Sequence, residues 1–107
     1  MRTVNISEIP GRQYEAIGLV KGSSVRGTAK NISAIWQNFL GGEMTNYAKI
    51  LDEARYAATK RMADEAENLG ADMVINVTYG STNITDGAVE IIAYGTAVRF
   101  TDTPDVP

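Results

Sequence analysis

The chain has 107 residues, 44% of them hydrophobic and 21% charged, with a formal net charge of −3. That balance fits a globular chain rather than a disordered one, and a pI near 4.8 argues against a nucleic-acid binder that lives on phosphate contacts. Cys and His are both absent, which excludes disulfides, Cys/His zinc sites, thiol nucleophiles and Ser-His triads.

The length predicts one domain over 1–107. An N-terminal arm, residues 1–10, closes at the turn signal Pro10-Gly11. The first strand is expected over 13–21, with Tyr14, Ala16, Gly18 and Val20 on one face and Glu15, Ile17, Leu19 and Lys21 on the other. Gly18 in mid-strand marks a bulge or a close backbone approach. Residues 22–27 read as a small-residue loop or a short extra strand.

A short helix is expected over 31–40, where Ile32, Ile35, Trp36, Phe39 and Leu40 recur at helical spacing before Gly41-Gly42. The long helix is expected over 45–69. Its buried stripe is Met44, Tyr47, Leu51, Ala54, Ala58, Met62, Ala66 and Leu69. Thr45 or Asn46 caps the start, and Gly70 supplies the left-handed stop. Lys49/Glu53, Lys60/Asp64 and Arg61/Glu65 are i,i+4 pairs on the wet side. The alanines keep the stripe flat, so the helix can lie close to a sheet.

A second strand is expected over 72–79, a polar loop over 80–87, and a third and longest strand over 88–100. The loop is too short for a crossover, so the last two strands form an antiparallel hairpin. A proline-rich, flexible tail occupies 101–107. The fold class is α+β: a β-α-β-β chain, with a three-stranded antiparallel sheet on one long helix plus a short helix. One helix about 10 Å wide covers only about two strands. Ile17, Leu19, Val89, Ile91, Ala93 and Ala97 are therefore the expected apolar surface of the opposite sheet face. A homo-oligomer that buries this face is the simplest outcome. No apolar run approaches the roughly 18 residues of a membrane span, and no signal-peptide core is visible. A soluble, cytoplasmic protein is expected.

Several motifs resemble the YbjQ-like family of small bacterial proteins. They are Leu19-Val20-Lys21-Gly22, Gly41-Gly42-Glu43, Tyr47 with Leu51 and Ala54-Arg55, Leu69-Gly70-Ala71-Asp72, and Gly95-Thr96-Ala97-Val98. The resemblance covers about 13–100 and is carried by the set rather than by any one piece. It implies a dodecin-subunit-like fold, a core over 11–100, and assembly as a pentamer or a multiple of it. The family carries a heavy-metal-binding label and has no characterised function. Against that label stands a chain whose only soft donors are thioethers, with Met44, Met62 and Met73 at helix and strand positions that suit a core.

The candidate ligand-binding residues are Glu43, Arg55, Trp36 and Tyr47. Glu43 follows a Gly pair at the start of the long helix. It fits either an anion site on backbone N–H groups or a turn acid favoured by the helix dipole. Arg55 fits either a bidentate ligand contact or an ion pair with a neighbouring subunit. Trp36 and Phe39 fit stacking on a planar ligand or capping of the sheet. Tyr47, Tyr79 and Tyr94 fit interface or core positions with their hydroxyls reaching a partner. Asp52, Glu53, Asp64, Glu65 and Glu67 read as a solvated face or, by symmetry, a ring for a hard cation. No cofactor, no catalytic residue and no specific metal follow from the residues. The expectation is a non-enzymatic homo-oligomer, free of nucleic acid and membrane, holding a small ligand or cation at its interfaces. A protein-interaction module and an enzyme with an intersubunit site are the alternatives.

Overall fold

The computed structural model describes residues 1–27, 45–85 and 88–102. The elements are β1 (Arg2–Thr3), β2 (Tyr14–Gly27), α1 (Thr45–Asn68), β3 (Met73–Thr85) and β4 (Ala88–Phe100). They make an α+β arrangement of one sheet, in the order β1-β3-β4-β2, and one helix. β4 is central and antiparallel to both β2 and β3. The expected short helix over 31–40 and the tail beyond residue 102 lie outside the described residues.

The sheet has four strands, not three. The extra strand comes from the N-terminal arm, where Arg2 and Thr3 pair in parallel with Met73 and Val74. The arm then continues along β3. Val4 N–H donates to Val74 C=O at 2.9 Å, Asn76 N–H to Ile6 C=O at 2.8 Å, and Val77 N–H to Val4 C=O at 3.0 Å. Asn76 sits at a register shift between Ile75 and Thr78 and has φ 56°. Asn is among the few non-glycine residues that take this left-handed geometry readily. A two-residue strand leaves no periodic trace in a sequence, which is why the arm read only as an arm.

Two boundaries also move. Residues 22–27 belong to β2, and residues 80–85 belong to β3 rather than to a loop. The reason is tertiary. β4 is 13 residues long, and it pairs with Gly22–Gly27 on one side and with Gly80–Thr85 on the other. Small and polar residues that look like a loop stay extended because a partner satisfies their backbone groups. Of the two readings of Gly18, the bulge is the one found: the register shifts there against Val98 and Ala97, with Ile17 as the added residue, and nothing lies within 4 Å of a methyl group at Gly18.

Helix α1 packs chiefly over β2 and β4. Ala54, Ala58, Met62 and Ala66 are fully buried, as the stripe predicts. Leu51 is half-buried and Leu69 is exposed, so the stripe fades at its C-terminal end. The close approach falls at Gly22. A methyl group there would lie 2.3 Å from Met62 N and 2.4 Å from Ala58 O. Gly70, with φ 81°, ends the helix. Its N–H bonds Glu67 C=O and the Ala71 N–H bonds Ala66 C=O, both at 3.0 Å, the paired bonds of a Schellman stop.

The strand period of two gives the sheet two faces. Under α1 lie Val20, Val74, Ile91, Ala93 and Ala97, all buried. Ile91, Ala93 and Ala97 are thus core residues, and Val89 packs against that core, contrary to their expected place on the open face. Both faces of β4 are rich in apolar residues, so alternation alone did not say which one met the helix. A second cluster on the other face contains Met73, Ile75 and Val98. Val4 and Ile9 of the arm, with Tyr14 and Phe100, cover that cluster. Ser24 is buried among the residues facing α1, and its hydroxyl has no partner among the described residues. Such an orphan costs about 1–3 kcal/mol.

A clamp closes the β2–β4 end. Arg12 donates to both carboxylate oxygens of Asp102, at 2.5 and 2.9 Å, and its guanidinium lies 3.7 Å over the Phe100 ring. Thr101 N–H bonds Gln13 C=O at 2.9 Å. The hydrogen bond from Arg12 holds the Asp102 carboxyl below its ordinary value, with the Gln13 N–H adding to it. A lowered carboxyl contributes stability above its unfolded-state pKa and loses it as pH falls through the folded one. Asp102→Asn is therefore expected to lower the urea midpoint at neutral pH. The gap to the parent protein should close only in acid, below the ordinary aspartate range. No gap at neutral pH would show that the ion pair contributes nothing, and a gap that persisted unchanged below that range would assign the loss to something other than the carboxylate's charge.

Candidate functional site

Of the four predicted ligand-binding residues, Arg55 is the one whose side chain lies within the description. Glu43 and Trp36 fall outside the described residues, and so does Phe39. Tyr47 lies in the first turns of α1, and its side chain is outside the description. Arg55 is exposed and pairs with Asp52, one helical turn earlier. Its partner is thus found within its own helix. Of the other helix pairs, Lys60–Asp64 forms at 3.4 Å. Arg61 turns instead to the β2 backbone and donates to Ser23 C=O. Among the described residues, Lys49 and Glu53 form no ion pair.

Five acidic side chains have partners in the fold. Asp52 meets Arg55, Asp64 meets Lys60, Glu15 meets Arg99, and Asp102 meets Arg12. The Asp72 carboxylate accepts from Phe100 N–H at 2.9 Å and holds the end of β4. Among the described residues, no three acidic side chains gather as a cation cage.

What the fold does gather is an apolar surface beside an open edge. Leu19 is 69% exposed, Val25 50% and Tyr94 41%, with Ile17 close to them at 37%. Leu19 pairs with Thr96, and Lys21 with Tyr94, so these residues share the sheet face turned away from α1. Ile17, Leu19 and Val25 lie along β2, the last strand of the sheet, with Tyr94 beside them on β4, and among the described residues no strand pairs with the outer edge of β2. Ile17 and Leu19 were expected here. Val25 and the full length of the edge were missed, because residues 22–27 read as a loop or a separate short strand rather than as a continuation of β2.

On the helix side two shallow grooves flank Tyr56, which is 74% exposed. One, of about 340 Å³, lies between α1 and β1 and is lined by Thr3, Thr59, Lys60 and Asp64 among others. The other, of about 580 Å³, contains Arg26, Lys49, Asp52 and Glu53. Thr59 and Tyr79 share a hydroxyl–hydroxyl hydrogen bond of 2.8 Å beside the first groove, so the Tyr79 hydroxyl finds its partner in the same chain. Tyr56 was missed because it stands off the buried stripe, among charged residues. An aromatic on a wet helix face was the available signal.

A family model described as "putative heavy-metal-binding" matches residues 1–101 of this sequence. The chain belongs to the YbjQ family. A UPF0145 protein of Clostridium perfringens is 45% identical over 105 residues, covering 95% of this chain and 99% of the relative. One from Clostridium novyi is 44% identical over 102 residues, covering 94% and 99%. One from Halorubrum lacusprofundi is 43% identical over 103 residues, with the same coverage. A crystal structure of a protein of unknown function from Pediococcus pentosaceus, assigned to the DUF74 family, superposes with a TM-score of 0.61. It shares 17% identity and covers 94% of this chain and 97% of its own. That likeness shows a shared fold. None of these names states a catalytic activity. Among the described residues, no helix of this YbjQ-family chain is long and apolar enough to cross a membrane.

Proposed function

We propose that this chain is a non-enzymatic, single-domain, cytoplasmic protein that works as a homo-oligomer, a pentamer or a multiple of it. Its subunit interfaces would hold a small ligand or a cation. The observation that carries the reading is the open β2 edge next to exposed Leu19, Val25 and Tyr94.

The topology supports a specific way to join copies. β2 and β3 are both antiparallel to β4, so they run in the same direction. β1 pairs with β3 only at Met73 and Val74, and the arm follows β3 as far as Val77. Among the described residues, the distal part of β3 is thus a second edge, on the opposite side of the sheet. Joining the β2 edge of one copy to that edge of the next is a head-to-tail contact, which closes into a ring if the rotation allows. Such a contact covers backbone groups and apolar side chains together.

Native mass spectrometry of untagged protein, prepared without chelator, tests the proposal. A pentamer or its multiple with extra non-covalent mass supports it and weighs the ligand. A bare oligomer removes the ligand from the reading and leaves an interaction scaffold. A monomer overturns it. Leu19→Lys is expected to shift the spectrum towards monomer, because each interface would then bury an unpaired ammonium. At least a tenfold weaker association, about 1.4 kcal/mol per interface, is expected. An unchanged mass distribution across a dilution series would place Leu19 outside the interface.

A further inference from the structure

We infer that this chain has no site for a soft heavy-metal ion, so the description attached to its family does not extend to its own residues. The inference narrows the ligand class proposed above to hard cations and organic molecules. It rests on side-chain types rather than on assembly, and therefore does not depend on the ring.

Soft and borderline metals such as cadmium, copper(I) and zinc are held in proteins chiefly by thiolates and imidazoles. The sequence contains no Cys and no His. Assembly does not repair this, since every further copy brings the same side-chain types. Symmetry multiplies donors, but it creates no new kind of donor.

The remaining soft donors are the thioethers of four Met residues. Met62 is fully buried under α1, in the cluster with Val20 and Val74. Met73 is 6% exposed and belongs to the second cluster, with Ile75 and Val98. The sheet separates these two sulfur atoms, so one ion cannot touch both. Each is packed among aliphatic side chains, which solvate an ion poorly. Met1 is exposed at the chain terminus and lines the helix-side groove beside Lys60 and Asp64, and Met44 lies outside the described residues.

Oxygen donors do not fill the gap. Among the described residues, no three carboxylates gather as a cage, and Asp52, Asp64, Glu15 and Asp102 are already paired with Arg55, Lys60, Arg99 and Arg12. Carboxylates in any case favour hard ions such as magnesium and calcium.

The test uses untagged full-length protein, because a polyhistidine tag would add the missing imidazoles. Elemental analysis of the protein as purified is followed by equilibrium dialysis against zinc(II), cadmium(II) and ascorbate-held copper(I), each near ~1 µM free ion, where a micromolar site would be half filled. The expected result is below about 0.05 ion per subunit for all three, less than the roughly one-tenth that a single half-filled axial site in a pentamer would give. Stoichiometric uptake of any of the three, per subunit or per assembled particle, would overturn the inference. Copper(I) is the most demanding arm, because thioethers alone can hold it. A monomeric native mass would defeat the assembly proposal and leave this inference standing. Tight uptake by an intact pentamer would do the reverse.

Discussion

Gly22→Ala is expected to be among the most damaging single changes in this protein. The added methyl group would sit 2.3 Å from Met62 N, 2.4 Å from Ala58 O and 2.8 Å from Arg61 C. All three are helix backbone atoms, so no rotamer change can make room. Either α1 must lift away from β2 or β2 must bend. Lifting the helix would open the contacts of Ala54, Ala58 and Met62 together, since all three are fully buried on the same stripe. Overpacking costs about 1–3 kcal/mol where side chains can adjust, and a backbone clash belongs at or above the upper end. For a chain of this size, ~3 kcal/mol lowers the melting temperature by on the order of 15 °C. Gly18→Ala is the matched control. Nothing lies within 4 Å of a methyl group there, so a change of less than about 1 kcal/mol is expected. Equal melting temperatures for the two variants at matched protein concentration would show that the helix does not rest on Gly22.

Met62→Ala should rank with it. Met62 is the largest of the fully buried side chains, and it fills the space between α1 and the sheet opposite Val20 and Val74. Truncation removes the transfer energy and leaves a cavity, together about 2–5 kcal/mol. The alanines around it offer little side chain to collapse into the space. Met62→Leu keeps the volume and should stay within about 1.5 kcal/mol of the parent. The pair also separates packing from ligation. A structural thioether tolerates leucine in stability and in metal content alike. A ligating one would lose bound ion with leucine while remaining folded. Chemical denaturation with parallel elemental analysis reads both outcomes.

Much of the fold was legible in the residues. The helix could be read because Ala54, Ala58, Met62 and Ala66 recur at its period and Gly70 ends it. β4 could be read because a long run of aliphatic and β-branched residues is bounded by polar ones. The β2 bulge was visible in Gly18. The rest depended on partners distant in sequence. Gly22 to Gly27 and Gly80 to Thr85 are extended because β4 lies between them. β1 exists because β3 offers it an edge. The face of β4 that meets the helix was undetermined locally, since Ile91 and Ala93 alternate with Ile92 and Tyr94. The site was less legible than the fold. A surface made of Leu19, Val25 and Tyr94 draws on two strands that meet only through their pairing. Arg55 carried a visible charge, but its partner Asp52 lay on its own helix.

The central place of β4 bears on how the protein is made. β2 and β3 never touch as neighbours, and each relies on β4 for its ladder. Yet β4 follows all the other elements in the chain. During synthesis, β2 and α1 emerge long before the strand that organises them. Arg2 and Thr3 must wait for Met73 and Val74 before β1 can pair. The sheet therefore forms late and over long sequence separations, which slows folding and prolongs the exposure of unpaired strands. A nascent chain stalled before Ala88 would carry two long strands with no common neighbour. It would be a ready substrate for chaperones and for aggregation alike.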